Sequence, residues 1–441
     1  MEMDESQLLL LPDEVLLAVL AHLEPRQLLQ CRVLCRRLRD LCLHRRLWQT
    51  ADVSDLFLLR AALNLAPCLG EVRVTNPEAV AYLVQGTACV VNELSVQVCD
   101  QLNAAFATTI VGKLSALGGV KELSLHLLCP LSTPSVATLL KAVINIDGIK
   151  ELFVRRTGAV GPMEAVLPLS DLELRPSLRK LTYLSCEVDP FLDLLLKTHA
   201  PTLEEVFLFF LHEIPTTLLG SMPRLRVLAC HPCDGLSELA DLPSLESVRL
   251  MSRVTEDGAF FAGAVDFLRR SSHLRSVEFN GTRDVGSDAH LVALADSPSA
   301  LHINAISGVD VAQGLLERVA ATLPKFSLLK YLGLDSVPPN VVLKAISPET
   351  LPSLSVLSVR STDRGMCLHA WLHDPAVQDV LVRNPNLHLY EAGMSTIPDD
   401  CACAWCRWGC HGTLQHYKYY SSHARRADCP EECYQVAGCS S

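Results

Sequence analysis

One hexapeptide pattern, apolar-x-x-apolar-x-apolar, recurs through the middle of this chain and constrains its fold more than any other feature. It reads LGEVRV from Leu69, VNELSV from Val91, VKELSL from Val120, IKELFV from Ile149, LRKLTY from Leu178, LEEVFL from Leu203, LRVLAC from Leu225, LESVRL from Leu245, LRSVEF from Leu274, LKYLGL from Leu329 and LSVLSV from Leu354. Weaker copies sit at Leu301-His302-Ile303 and Leu387-His388-Leu389. From Leu69 through Leu274 successive starts lie 20 to 29 residues apart. A single unit of this length cannot bury its apolar positions alone, so the copies must stack and share one core.

That pattern and period are the strand signature of leucine-rich repeats. Between strands, SVATLLKAVIN places Val136, Leu139, Leu140 and Val143 on one helical face, and FFAGAVDFLRRS does the same with Phe261, Ala264, Val265 and Leu268. The unit is therefore strand then helix. Stacking such units over residues 51–397 predicts an α/β solenoid with a parallel concave sheet and outer helices, and uses most of the 49% hydrophobic content. Trp48-x-x-Ala51-x-Val53 is expected to form a first, degenerate strand 21 residues before Leu69.

Alternate residues of a strand face opposite sides, so those between the ladder positions project from the concave face. Phe153, Phe207, Phe209 and Tyr331 are the informative ones, because an aromatic displayed to solvent typifies a binding centre. With the neighbouring Arg155, Arg249 and Arg360 they are the expected contacts for a protein substrate. The competing reading is that a loop or the tail covers them.

A formal net charge of -11 argues against binding nucleic acid or anionic membrane, both of which need a basic face. The acidic start MEMDESQ lacks the positive region of a signal peptide and no long apolar run is free of charge, which points to a cytoplasmic or nuclear protein. Eleven of the 18 cysteines are scattered between Cys31 and Cys367, as in a reducing compartment. No phosphate loop, dinucleotide fingerprint, nucleophile elbow or HExxH helix occurs, so the chain is expected to be non-catalytic. His369, His373 and Asp374 read as polar surface, and Cys230-x-x-Cys233 as core.

The N-terminal stretch is dense in leucine. Pro12 suits a first helical turn and Asp13 and Glu14 its positive end, after which Val15, Leu16, Val19, Leu20 and Leu23 recur at helical spacing. After Glu24-Pro25 a second stripe runs through Leu28, Cys31, Leu34, Cys35, Leu38, Leu41 and Cys42. Two or three helices this short cannot bury so much apolar surface among themselves, so some of it needs a partner, either the rest of the chain or another protein.

Leu11-Pro12-Asp13-Glu14-Val15-Leu16, Leu20, Leu23, Pro25, Leu28-Leu29, Leu34-Cys35-Arg36-Arg37 and Leu47-Trp48 together resemble the F-box motif, from its LPxE start to its LW end. The chain departs from the motif at Leu34, usually Val, and Leu38, usually aromatic. A three-helix F-box over residues 8–50 followed by leucine-rich repeats resembles the F-box and leucine-rich-repeat family, the substrate receptors of Skp-cullin-F-box ubiquitin ligases. The resemblance implies a Skp adaptor, and through it a cullin and a RING protein. The residues expected to hold that adaptor are Leu11, Pro12, Glu14, Val15, Leu16, Leu20, Leu28, Cys35 and Trp48. It further implies that the repeats present an unknown protein substrate for ubiquitination and degradation. The alternative is a leucine-rich-repeat interaction scaffold whose N-terminal helices only cap the repeats.

Residues 398–441 change composition and hold the other seven cysteines. Cys401, Cys403, Cys406 and Cys410 offer soft ligands for a structural zinc ion, the only cofactor the sequence suggests, although their spacing is not that of paired CxxC knuckles. Disulfides and a reduced, packed tail are the other readings. In the last of these Trp405, Trp408, Tyr417, Tyr419 and Tyr420 would dock the tail on the final repeat as an apolar cap.

Overall fold

The computed structural model describes residues 10–128, 134–157, 175–211, 213–251, 262–280, 287–309, 316–360, 371–372, 374–391, 419–423, 426–431 and 433–436. The chain forms two compact units, Met1–Val206 and Phe207–Ser441. This division falls elsewhere than the sequence changes near residues 50 and 398. Each repeat packs on its neighbours, so a change of composition need not leave a gap in packing.

Among the described residues the first unit opens with the short helices α1 (Asp13–Leu20), α2 (Pro25–Cys31), α3 (Arg36–Leu41) and α4 (Arg45–Trp48), the last a single turn. A short strand β1 (Asp52–Val53) and helix α5 (Leu56–Leu65) follow. Then come β2 (Cys68–Val74), β3 (Val90–Val98), β4 (Glu122–Leu127), β5 (Glu151–Arg156) and β6 (Lys180–Leu184). Helices fill the connections where they are described, including Pro134–Ile144, whose Val136, Leu139, Leu140 and Val143 are buried as the periodicity requires.

β1 to β6 pair in parallel, each with the next, and the register stacks Val53, Val72, Leu94, Leu123, Leu152 and Leu181 into one apolar row. Every member of that row is 3% exposed or less. The ladder read from the sequence is therefore the core of this unit. The register of β1 differs from expectation, because Val53 lies beside Val72 and not beside Val74. The backbones approach closely at Gly70, where a Cβ would stand 2.8 Å from the carbonyl carbon of Thr50 and 2.9 Å from the Gln49 oxygen.

The second unit repeats the scheme. β7 (Glu205–Phe209) straddles the boundary, and β8 (Val227–Cys230), β9 (Ser247–Met251), β10 (Ser276–Asn280), β11 (Ala305–Val309), β12 (Tyr331–Leu334), β13 (Val356–Val359) and β14 (His388–Glu391) follow. Parallel pairing from β8 to β14 aligns Leu228, Val248, Val277, Ile306, Leu332, Leu357 and Leu389. In the helix Ala262–Arg270, Ala264, Val265 and Leu268 are buried, while Phe261 lies outside the described residues. Cys230 and Cys233 are buried thiols, and burial raises both above the ordinary range, as core packing implies.

The weak copy at Leu301 is misplaced by two residues: Leu301 is 63% exposed, and the apolar series starts at the buried Ile303 and runs through Ile306 to Val309. A bulge between Ile306 and Val309 adds a residue, and Gly308 occupies it at φ +72°. A Cβ there would collide with the Phe279 carbonyl oxygen, so glycine is the residue that fits. Beyond β14 the parallel order ends. β15 (Tyr419–Ser421) runs antiparallel to β14, and β16 (Cys433–Gln435) pairs in parallel with β15.

Candidate functional site

The N-terminal helices are held by polar contacts at their ends and by a small core between them. Arg37 on α3 reaches back to α1, donating from Nε to the Asp13 carboxylate at 2.9 Å and from Nη2 to the Leu11 carbonyl at 2.7 Å. Glu24 and Gln27 form a reciprocal capping box at the start of α2, where Pro25 takes the first helical position. Cys35 caps α3, its Sγ accepting from the Leu38 amide at 3.4 Å. The Trp48 indole donates to the Cys42 carbonyl at 2.7 Å. Burial pushes the Cys42 thiol up to about 11.

Among the nine residues expected to meet an adaptor, Leu16, Leu20, Leu28 and Trp48 are each 5% exposed or less. These side chains pack in the core of the helices. Pro12, Glu14 and Val15 are exposed, and Leu11 and Cys35 are half-buried. The large apolar side chains left in solvent are instead Leu10, Val15, Val19, Val33 and Leu34, with Leu10 and Val33 both 81% exposed. Val15 and Val19 share one face of α1 by their spacing of four. Helical periodicity marked Val19 and Leu34 as apolar without telling which stripe would face inward, and Val33 carried no periodic signal at all.

The same helices also rest on the first repeat. The Glu71 amide donates to the Ala51 carbonyl at 3.0 Å, and the Cys68 thiol lies 3.6 Å from the Arg45 carbonyl. They therefore cap the strand ladder while presenting apolar side chains outward.

On the open face of the first unit's sheet, register brings Asp52, Glu71, Glu93, Glu122 and Glu151 side by side on β1 to β5, with Lys180 next on β6. Neighbouring strands lie about 4.8 Å apart, so like charges face each other along this row. Glu93 feels it most: burial, then the carboxylates of Glu71 and Glu122, raise it above the usual range. Arg73 relieves one end through ion pairs with Asp52 and Glu71, and Lys180 the other by donating to Glu151 at 2.9 Å. Phe153 is half-buried with its ring 5.4 Å from His126, and Arg155 beside it is exposed. Burial, and then Arg155, lower the His126 pKa below the ordinary imidazole value.

The remaining expected substrate contacts belong to the second unit. Phe207 is only 9% exposed, which corrects its reading as an open anchor. Its ring lies 6.3 Å from that of Phe209, nearly parallel, and the Arg249 guanidinium sits 5.5 Å above it. Arg249 stands opposite the small Ala229 of β8 and also pairs with Glu278 at 3.2 Å. A cation covers the aromatic, as is common where a guanidinium can stack. Phe209 and Tyr331 are half-buried, and Arg360 is exposed and 3.6 Å from Asp335. Sequence reasoning missed Phe210, 45% exposed at φ +69° and 6.1 Å from the His231 ring. Strict alternation along β7 had no place for it.

Residues 8–54 match the F-box-like family. The N-terminal helices are an F-box-like domain. No curated protein matches the chain. Among solved structures, one from the yeast Rad7 and Elc1 complex is similar over 81% of this chain and 91% of that one, at 16% identity and a TM-score of 0.40. Cys401, Cys403, Cys406 and Cys410, the expected metal ligands, lie outside the described residues, as do His369 and His373. Asp374 is described and caps the helix Pro375–Arg383, accepting from the Ala376 amide at 2.8 Å.

Proposed function

We propose that this protein is a non-catalytic substrate receptor of a ubiquitin ligase, joined to a Skp-type adaptor by its F-box-like domain. The carrying observation is that this domain closes its own core yet leaves Val15 and Val19 exposed on one helix, with Val33 and Leu34 exposed in the turn before α3. Exposed branched side chains four residues apart on one helix suit a helix-on-helix interface whose energy rests on a few large residues. Through the adaptor the receptor would meet a cullin and a RING protein. The repeats would hold a protein substrate in the cytoplasm or nucleus and raise the local concentration of its lysines near the charged ubiquitin carrier. On the first unit the row of carboxylates beside Phe153 and Arg155 favours a substrate segment with basic residues, since complementary charge sets register and on-rate.

The contacts of Ala51 and Arg45 with the first repeat favour a second reading, in which the helices serve only as a cap and the protein is an interaction scaffold. Co-purification of the full chain with a Skp-type adaptor separates the two. The receptor reading expects a one-to-one complex, lost in Val15→Asp with Val19→Asp while the melting temperature is kept. A wild-type chain that leaves the adaptor in the flow-through would leave only the scaffold.

A further inference from the structure

The reversal of the chain after β14 gathers three side chains of metal-ligating type, with a fourth, His423, beside them, which the linear spacing of the tail conceals. His388 lies on β14, with its amide bonded to the Ser355 carbonyl at 2.8 Å. Cys433 lies on β16, two strands away across β15. His423 and Cys429 come from the connection between β15 and β16. The ligand atoms of His388, Cys429 and Cys433 all lie within 4.8 Å of one another. The His423 Nε2 is 3.3 Å from the Cys429 sulfur and the His388 Nε2 is 3.5 Å from it. The two imidazoles stand edge to face with their centroids 5.3 Å apart.

We propose that His388, His423, Cys429 and Cys433 form a structural zinc site that fastens the end of the chain to the last repeat strand. With Zn–S near about 2.3 Å and Zn–N near about 2.0–2.1 Å, a tetrahedral site has a sulfur-to-nitrogen edge of about 3.5 Å. The nitrogen-to-sulfur distances of 3.3 and 3.5 Å lie close to that edge. Two thiolates with two neutral imidazoles are a common structural donor set, and zinc bound to them would carry no net charge into a half-buried place.

The surroundings suit thiolate and imidazole ligands. His388 and Cys433 are 8% and 6% exposed. The Arg426 amide donates to the Cys429 sulfur at 3.2 Å, the kind of contact that steadies a metal-bound thiolate. The Ser421 hydroxyl is 3.5 Å from the Cys433 sulfur.

The role would be mechanical. β15 and β16, of three residues each, are shorter than the about five to six residues typical of a strand. A metal holding side chains from β14, β16 and the segment between them would close the exposed end of the second unit, a place where repeat arrays need a cap. This inference stands apart from the adaptor reading, since it concerns only the far end of the chain.

The test uses the full chain, expressed with added zinc and purified under reducing conditions. Elemental analysis is expected to find about one zinc per chain, and X-ray absorption a mixed shell of two sulfurs at about 2.3 Å and two nitrogens at about 2.0–2.1 Å. Cys429→Ser with Cys433→Ser should lose the zinc, whereas serine at Cys401, Cys403, Cys406 and Cys410 together should keep it. Removing zinc with a chelator should speed hydrogen exchange over residues 419–436. A chain without stoichiometric zinc, an all-sulfur shell, or peptide mapping that joins Cys429 to Cys433 by a disulfide would each overturn the proposal. The absorption measurement needs no variant, so a misfolded serine mutant would not blunt it.

Discussion

Lowering the pH should strip stability from the first unit through one buried imidazole, His199. It closes the helix Pro190–His199 and is 3% exposed. Its Nδ1 accepts from two backbone amides, Ser177 at 3.2 Å and Leu178 at 3.4 Å, which only an unprotonated nitrogen can do. The C-terminus of a helix favours a cation, by about 0.3–1 kcal/mol at the surface, yet burial wins here and pushes the pKa from 6.5 down to about 4. Between those two values the unfolded chain binds a proton that the folded chain refuses. Stability from this group is therefore complete above pH 6.5 and is lost as the pH falls toward 4. A shift of about 2.5 units at about 1.4 kcal/mol per unit gives a loss on the order of 3 kcal/mol at the acid end.

The assay compares wild type with His199→Gln, whose side-chain oxygen can accept the same amides without titrating. Hydrogen exchange over residues 177–199 is measured at pH values from above 6.5 down to about 4. Local exchange is the proper readout, because His199 acts on one helix end and the two amides it accepts from. Exchange in the wild type should accelerate by up to about a hundredfold relative to the variant at the acid end. If the two proteins change in parallel across the window, the account of His199 is refuted.

Three further outcomes are expected. Asp189 pairs with Arg156 where both side chains are 7% exposed, accepts from the Tyr183 hydroxyl, and caps the helix after it by accepting from the Phe191 and Leu192 amides. Asp189→Ala would strand a buried guanidinium and should cost about 3–5 kcal/mol, read as a lower melting temperature, with Asp189→Asn costing less because the cap survives. Gly70→Val would drive a side chain into the backbone of Gln49 and Thr50 and should destabilise the first unit by about 1–3 kcal/mol, read by the same melts. Under a thiol-specific reagent in native buffer the exposed Cys99 should react within minutes. Cys89, pushed up to about 12 by burial, and Cys230, fully buried, should stay unmodified until the protein unfolds, as peptide mapping would show.

The apolar hexapeptide by itself determined the strand–helix repeat and which residues form its core. A period of two along each strand and a spacing of 20 to 29 residues between strands leave few other ways to bury Leu94, Leu123 and Leu152 together. The sequence likewise marked residues 8–50 as a helical segment of recognisable type, and the F-box-like family matches residues 8–54. It could not say which apolar stripe of those helices faces inward, since Leu16 and Val19 look alike until α3 packs against α1. Nor could it place the β1 strand, which sets Val53 beside Val72, or the bulge that follows Ile306 in β11. The openness of Phe207 was decided by a cation from a strand 42 positions away in sequence. Above all, the cluster of His388 with Cys429 and Cys433 arises because the chain reverses at β15. Spacing along a chain describes ligands on one turn or loop, whereas a cluster assembled from two strands and the segment between them exists only once strand pairing has fixed the register.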